Sequence, residues 1–200
     1  LGYPATMGAN FIDYAIADKF VLPDEQQKFW TEKIVYMPDS FMPHDTVTRR
    51  NMPVEPPTRA QAGLPDNAIV FCCFNNSFKI TPSVFQVWMR LLKAVDGGVA
   101  WLSAAGESTK KNIGNAAKNA GIDPKRLIFA PRVERVEDHL SRHRVADLFL
   151  DTLPYNAHST AADALWAGLP VVTCAGNTYA ARVAGSFLSA IGLPELVTQS

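Results

Sequence analysis

Five short apolar runs, separated by segments of helical periodicity, follow one another after residue 66. The runs are continuously apolar, as in strands buried on both faces of a sheet. We predict strands at 68–74, 99–102, 127–129, 146–150 and 171–173. The segments between and after them place apolar residues three and four positions apart, which predicts helices at 81–95, 108–120, 134–144, 159–167 and 179–191.

Several of these predicted helices carry start and stop residues. Thr81 is a good N-cap, and Pro82 is tolerated at the first helical position. Gly97, Gly121 and Gly168 stand just past three helix ends, where glycine is common. Five strand–helix units in a row predict an α/β fold with a parallel sheet and helices on both faces. Such sheets bind ligands at the carboxyl ends of their strands, so the loops after the strands are the candidate sites.

The first 62 residues differ from the rest in composition and in hydrophobic periodicity. They are rich in proline, methionine and polar residues and show little steady periodicity. We predict a short strand at 11–16 and a short helix at 23–31, and several prolines between 43 and 57 break regular structure. We therefore expect a connecting segment, 1–62, that leads from a preceding domain, and an α/β domain, 63–200, that is truncated at its C-terminus.

Composition narrows the class of function. The 200 residues carry 19 basic and 19 acidic side chains, so the basic excess of a nucleic-acid binder is missing, and no basic run marks a membrane-binding surface. Cys72, Cys73 and Cys174 lie in or at the end of apolar runs and lack metal or redox spacing. Buried free thiols are the simpler interpretation, and they favour a reducing compartment and a cytoplasmic enzyme.

The loop after the first strand of the α/β domain holds Asn76 and Lys79. Asn76 can donate to a phosphate oxygen or a ring carbonyl, and Lys79 can place a positive charge on a phosphate. Taken alone, this loop fits a surface lysine in a turn better than a binding site.

The loop after the third strand leads into a helix that carries Arg135 and His139 one turn apart, on the same face. His139 has a ring that can stack on a flat base or donate to it. Four more charged residues crowd this stretch, so a solvated helix face is an equal alternative.

The loop after the fourth strand is the most informative. Ser159 and Thr160 stand at a helix N-terminus, where unpaired N–H groups and a partial positive charge suit a phosphate. Asp163, one turn further on, can accept hydrogen bonds from ribose hydroxyls. The spacing of Thr160 and Asp163 also resembles a capping box, so Thr160 could cap the helix whether or not the helix binds phosphate.

The sequence offers little to a metal ion. None of its four histidines pairs at ligand spacing with a carboxylate cluster, and Asp-x-Asp, the usual carboxylate pair for a metal-bound nucleotide sugar, is absent. We expect no metal and no cofactor, so Lys79 and a helix N-terminus would neutralise a bound diphosphate. The first strand is not followed by G-x-G-x-x-G, which argues against a dinucleotide.

Four ordered motifs resemble the catalytic region of bacterial-type protein O-GlcNAc transferases, and the resemblance runs along essentially the whole chain. The motifs are Leu1-Gly2-Tyr3-Pro4-Ala5-Thr6-Met7-Gly8, Phe74-Asn75-Asn76-Ser77-Phe78-Lys79-Ile80, His158-Ser159-Thr160-x-x-Asp163 and Leu165-Trp166-Ala167-Gly168. The resemblance implies two Rossmann-like domains that face each other across a cleft, the GT-B arrangement, after tetratricopeptide repeats that help to bind protein acceptors. This chain would be the tail of the first domain and most of the second, and would be inactive alone.

The resemblance also implies a reaction and a set of site residues. It implies an inverting, metal-independent transfer of GlcNAc from UDP-GlcNAc to Ser or Thr hydroxyls of proteins. Lys79 would be the catalytic group that stabilises the leaving diphosphate. Asn76 would contact the nucleotide, and His139 would lie against the uracil, with Arg135 and the backbone near Val133 beside it. The diphosphate would be held by His158, Ser159 and Thr160, and the ribose by Asp163. Gly2 and Pro4 would line the pocket of the donor sugar.

Two departures bear on the donor. Animal members of the resembled family carry Gln where this chain has Asn76, and the segments around Phe74 and Thr81 are also similar to plant relatives that transfer fucose from GDP-fucose. Those relatives lack the histidine that corresponds to His158, which favours UDP-GlcNAc. Other relatives glucosylate Asn side chains from UDP-glucose. A nucleotide-sugar-binding module without turnover is the alternative from another class.

Overall fold

The computed structural model describes residues 4–45 and 55–200. Its first elements form a two-stranded parallel sheet of β1 (Tyr14–Ala17) and β2 (Lys33–Tyr36), joined through a 3-10 helix at Asp24–Phe29. The strand expected at 11–16 therefore lies slightly later, and the helix expected at 23–31 is a 3-10 helix. The sequence pattern misses β2, since its four residues are too few to establish a period.

A second, six-stranded sheet forms the centre of the α/β domain, and all of its strand pairs are parallel. Its strands are β3 (Val70–Cys73), β4 (Val99–Leu102), β5 (Leu127–Phe129), β6 (Leu148–Leu150), β7 (Val171–Cys174) and β8 (Val197–Thr198). Their order across the sheet is β5-β4-β3-β6-β7-β8. The parallel sheet and its five predicted strands are confirmed, and β8 extends it with a strand of two residues.

Five α-helices connect the strands. They are α1 (Pro82–Ala94), α2 (Glu107–Asn119), α3 (Val136–Arg142), α4 (Ser159–Trp166) and α5 (Val183–Ala190). Thr81 caps α1 as predicted, because its hydroxyl accepts a hydrogen bond from the backbone N–H of Val84. The helix expected at 179–191 is interrupted at Arg182, whose backbone leaves helical geometry where its guanidinium binds the carbonyls of Phe20 and Gly176.

The sheet has its switch point between β3 and β6. After β3 the chain continues to β4 and β5 on one side, and it then crosses to β6 on the other side. In open parallel sheets this reversal leaves a crevice at the carboxyl ends of the two strands, where ligands bind. The loops after β3 and β6 therefore share one edge of the sheet.

The core lies between the sheet and the helices. Trp101, Phe149 and Cys72 are almost fully buried in it, and burial raises the pKa of the Cys73 thiol to about 12. Buried thiols are thus found at Cys72 and Cys73, whereas Cys174 is partly exposed, contrary to expectation. Within residues 4–45 and 55–200, no helix combines the length and apolarity needed to cross a bilayer.

The segment that precedes the α/β domain packs against α5. The buried carboxylate of Asp18 accepts a hydrogen bond of 2.7 Å from the Ser186 hydroxyl, and Arg182 Nε donates to the Phe20 carbonyl over 2.6 Å. The ring of Phe20 lies over Gly185, where a Cβ atom would approach it to 2.5 Å. The connecting segment is therefore docked on the domain, and the division at residue 62 stays a prediction.

Candidate functional site

The loops after β3 and β6 are joined at the sheet edge through Asn75. This side chain is buried, and its amide donates to the Thr152 hydroxyl over 2.8 Å and to the Asp151 carboxylate over 3.3 Å. Its carbonyl oxygen accepts a hydrogen bond from the hydroxyl of Thr160, in the first turn of α4. One amide thus links the end of β3, the end of β6 and the start of α4.

Asp151 follows β6 directly and organises the loop that leads to α4. Its carboxylate accepts hydrogen bonds from the backbone N–H groups of Thr152 and Ala157, over 2.7 and 2.6 Å, and from the hydroxyl of Thr173 on β7, over 2.6 Å. Desolvation raises the pKa of this carboxyl to about 6, although the hydrogen bonds act in the opposite direction.

Lys79 ends a 3-10 turn, Ser77–Lys79, that the side chain of Asn76 caps. Its ammonium donates to the carbonyl of Asn156 over 2.9 Å and stands 4.0 Å from the centre of the Tyr155 ring. Desolvation lowers the pKa of Lys79, and the negative charge of Asp151 opposes that shift. Lys79 is therefore a partly buried cation held by the loop after β6, which differs from the surface lysine of the simpler interpretation.

His158 forms the N-cap position of α4, next to Lys79. Its ring stacks on Tyr155 with 4.9 Å between the centroids, and Nε2 donates to the Ala180 carbonyl over 3.3 Å. Desolvation lowers the pKa of His158 to about 4, so the ring is neutral at pH 7. The exposed Ser159 hydroxyl and the first N–H groups of α4 thus form a donor-rich surface beside the Lys79 ammonium.

The capping-box interpretation of Thr160 and Asp163 is wrong. His158, not Thr160, precedes the helix, and the Thr160 hydroxyl is engaged by Asn75. Asp163 instead faces α3, where its carboxylate lies 3.7 Å from His139 Nε2. Arg142 donates to His139 Nδ1 over 2.7 Å, and because a guanidinium can only donate, the neutral histidine carries its proton on Nε2, toward Asp163.

The remaining predicted residues are less closely connected to this edge. Asn76 is exposed, and Arg135 is two-thirds exposed at the start of α3, 3.6 Å from Glu137. Val133 lines a cavity of about 300 Å³ together with Trp101 and Arg142. Pro4 is partly exposed in the segment before β1, while Gly2 lies outside the described residues.

The arrangement also contains residues that the sequence interpretation left without a role: Asn75, Asp151, Thr152, Tyr155, Asn156 and Arg142. Only Asp151 carried a usable signal, since an acidic residue directly after a buried strand of a parallel sheet stands at the ligand-binding edge. The roles of the others depend on contacts that form only in the folded chain.

The polar edge is not the roomiest concavity. A groove of about 660 Å³ runs between α1 and α2, and its lining includes Phe78 but not Lys79, His139, His158 or Asp163. Most of its lining is apolar, whereas the edge at β3 and β6 collects the charged and hydrogen-bonding groups. We therefore identify the candidate site by its chemistry. In the described part of the chain, no group of three or more His, Cys, Asp or Glu side chains is arranged to hold a metal ion.

A parallel sheet with a partly buried cation and a helix N-terminus at its switch point defines an α/β architecture whose sheet edge is suited to a phosphorylated ligand. The family model of Glycosyl transferase family 41 matches residues 1–52 and 45–200, so this chain belongs to that family.

Sequence relatives agree with the family assignment. The chain is 36% identical over 199 residues to the "Probable UDP-N-acetylglucosamine–peptide N-acetylglucosaminyltransferase SEC" of Arabidopsis thaliana, and 40% identical over 163 residues to the UDP-N-acetylglucosamine–peptide N-acetylglucosaminyltransferase of Caenorhabditis elegans. These matches cover 96% and 80% of the chain, but only 20% and 14% of the relatives.

A solved structure supports the fold. The chain is similar to an O-GlcNAc transferase mutant from Thermobaculum terrenum with a TM-score of 0.80 and 30% identity. That match covers 94% of this chain and 35% of the solved chain. The chain thus has the α/β architecture of an O-GlcNAc transferase, in agreement with the fold expected from the sequence.

Proposed function

We propose that this chain forms the nucleotide-sugar-binding part of an inverting, metal-independent glycosyltransferase that moves GlcNAc from UDP-GlcNAc to Ser or Thr hydroxyls of proteins. The supporting observation is the position of Lys79, whose ammonium lies on the loop that leads to His158 and the N-terminus of α4. The membership of family 41 and the names of the relatives favour GlcNAc as the transferred sugar.

In this reaction the acceptor oxygen bonds to the anomeric carbon from the face opposite the diphosphate. The bond between that carbon and the diphosphate oxygen breaks, UDP departs with the electron pair, and the hydroxyl proton passes to a base that we assign to the preceding domain. Negative charge grows on the diphosphate as this bond stretches. A preorganised cation at Lys79 and the N–H groups of α4 would stabilise the transition state more than the ground state.

The other contacts follow the same proposal. His139 and Asp163 form one polar pair at the junction of α3 and α4, where the base and ribose of UDP would lie. Asp163 is largely buried, and its carboxylate can accept hydrogen bonds from ribose hydroxyls. Lys79 and the helix N-terminus would take the place of a metal ion in neutralising the diphosphate.

The test uses the full-length protein. We expect calorimetry to show binding of UDP and UDP-GlcNAc, with weaker binding of GDP, GDP-fucose and UDP-glucose. We also expect that GlcNAc transfer to a Ser- and Thr-containing peptide library, read by mass spectrometry, persists in EDTA.

Each alternative has its own outcome in this experiment. Preference for GDP-fucose or UDP-glucose would assign a different donor. Activity lost in EDTA and restored by Mg²⁺ or Mn²⁺ would overturn the metal-independent mechanism. Tight UDP-GlcNAc binding without transfer to any peptide would identify a binding module.

A further inference from the structure

Asp151 is a carboxylate without an assigned role at the centre of the candidate site. It lies directly after β6, and it receives donors from three segments: its own loop, the end of β3 and strand β7. We propose that Asp151 is a positioning residue of the proposed transfer reaction, which fixes the loop that holds Lys79 and supplies the negative charge that faces its ammonium. This inference rests on the proposed function.

The first part of the argument is geometric. Asp151 accepts the N–H of Ala157 over 2.6 Å, and the preceding residue, Asn156, presents its carbonyl to the Lys79 ammonium over 2.9 Å. The carboxylate therefore holds the peptide segment on which Lys79 rests. The same carboxylate also accepts a hydrogen bond from the side chain of Asn75, which precedes the Ser77–Lys79 turn, so Asp151 is bonded to both segments that position Lys79.

The second part of the argument is electrostatic. Lys79 is partly removed from water, which lowers its pKa, and the charge of Asp151 raises it again. The titratable groups that face this pair include the Cys73 thiol at the end of β3, the Tyr155 ring on the loop after β6 and the His158 ring at the start of α4. β7 contributes only the neutral hydroxyl of Thr173. The negative charge of Asp151 thus opposes the desolvation of the Lys79 ammonium.

A structural role alone does not account for this arrangement. The desolvation of the Asp151 carboxyl raises its pKa to about 6, which means that its charged form is disfavoured by the fold. A neutral Asn could accept the two backbone N–H groups and donate to Thr173 Oγ1 in the same space. The charge of Asp151 therefore disfavours folding, and the nearby Lys79 ammonium is the cation that this charge complements.

Asp151→Asn is the decisive variant in the full-length protein, because it keeps the shape of the network and removes the charge. We expect kcat to fall by roughly tenfold or more, less than the 10²–10³-fold loss expected for removing a preorganised donor itself, with little change in KM. The alkaline limb of the kcat profile should move to lower pH, since Lys79 loses its proton more easily. In a protein that already carries Lys79→Met, adding Asp151→Asn should not lower kcat further.

Asp147→Asn is the matched control. Asp147 precedes the same strand at the opposite edge of the sheet, where it accepts the Val70 N–H and pairs with Arg59. We expect this variant to change thermal stability and to leave kcat and its pH profile unchanged.

Two further measurements separate the geometric role of the Asp151 carboxylate from its electrostatic role. Thr173→Val removes the hydroxyl that holds the carboxylate, and we expect a several-fold loss of kcat with an unchanged alkaline limb. The pH dependence of Lys79 acylation, read by mass spectrometry, should show a lower pKa in Asp151→Asn even if no donor is turned over. A parent protein without donor binding would refute the proposed function. Parent-like kcat in folded Asp151→Asn and Thr173→Val, or an unchanged Lys79 pKa, would overturn the role of Asp151.

Discussion

Replacing Lys79 by Met tests the candidate site most directly. The Met side chain keeps most of the apolar stem and removes the ammonium. In the resting protein this ammonium gains one charge-assisted hydrogen bond, worth about 1.5–3 kcal/mol, and a contact with the Tyr155 ring worth about 0.5–2 kcal/mol. Its lowered pKa shows that desolvation opposes these gains, so we expect only a small change in the free energy of unfolding.

The effect on transfer should be much larger. Loss of one preorganised donor to a developing anion costs about 10²–10³-fold in kcat, or roughly 2.7–4 kcal/mol. The assay is single-turnover GlcNAc transfer by the full-length enzyme with saturating donor, beside calorimetry with UDP, whose affinity should fall far less than turnover. Lys93→Met, at an exposed position near the end of α1, is the control. Transfer by Lys79→Met at near the parent rate would refute the reasoning.

Three further predictions concern other parts of the molecule. Asp163→Ala should weaken UDP binding by about 1–3 kcal/mol, measured per folded molecule by calorimetry; lost stability with unchanged affinity would make Asp163 structural. The pKa of the buried His143 is lowered from 6.5 to about 4 by desolvation, so the unfolded chain binds the proton first and stability is lost as pH falls through this window. His143→Asn should therefore lose less stability than the parent between pH 7 and pH 4, measured as the free energy of unfolding by chemical denaturation. An equal loss in the variant and the parent would contradict this prediction. Gly185→Ala should cost about 1–3 kcal/mol through its clash with Phe20. Gly114→Ala in α2, where the added Cβ would make only an ordinary contact of 3.7 Å with Pro124, should stabilise by about 0.5–1 kcal/mol; equal thermal shifts would argue against the docked segment.

The sequence by itself determined the α/β class and its parallel sheet. Continuous apolar runs identify strands buried on both faces, and caps such as Thr81 set the start of a helix, because both signals depend on neighbouring residues alone. The same pattern showed that the loops after the strands were the place to look for a site. The short strands β2 and β8 were missed, since too few residues remain to show a period.

Only the tertiary structure decided which partner each polar residue has. The spacing of Thr160 and Asp163 indicated a cap, but Thr160 binds Asn75 and Asp163 faces His139. The loop that holds Lys79, taken without the family resemblance, fits a surface turn, and only the fold brings its ammonium to the carbonyl of Asn156, 77 residues away. Hydrogen bonds, desolvation and the charge of Asp151 depend on distances across the sheet edge, and the order of the strands sets those distances.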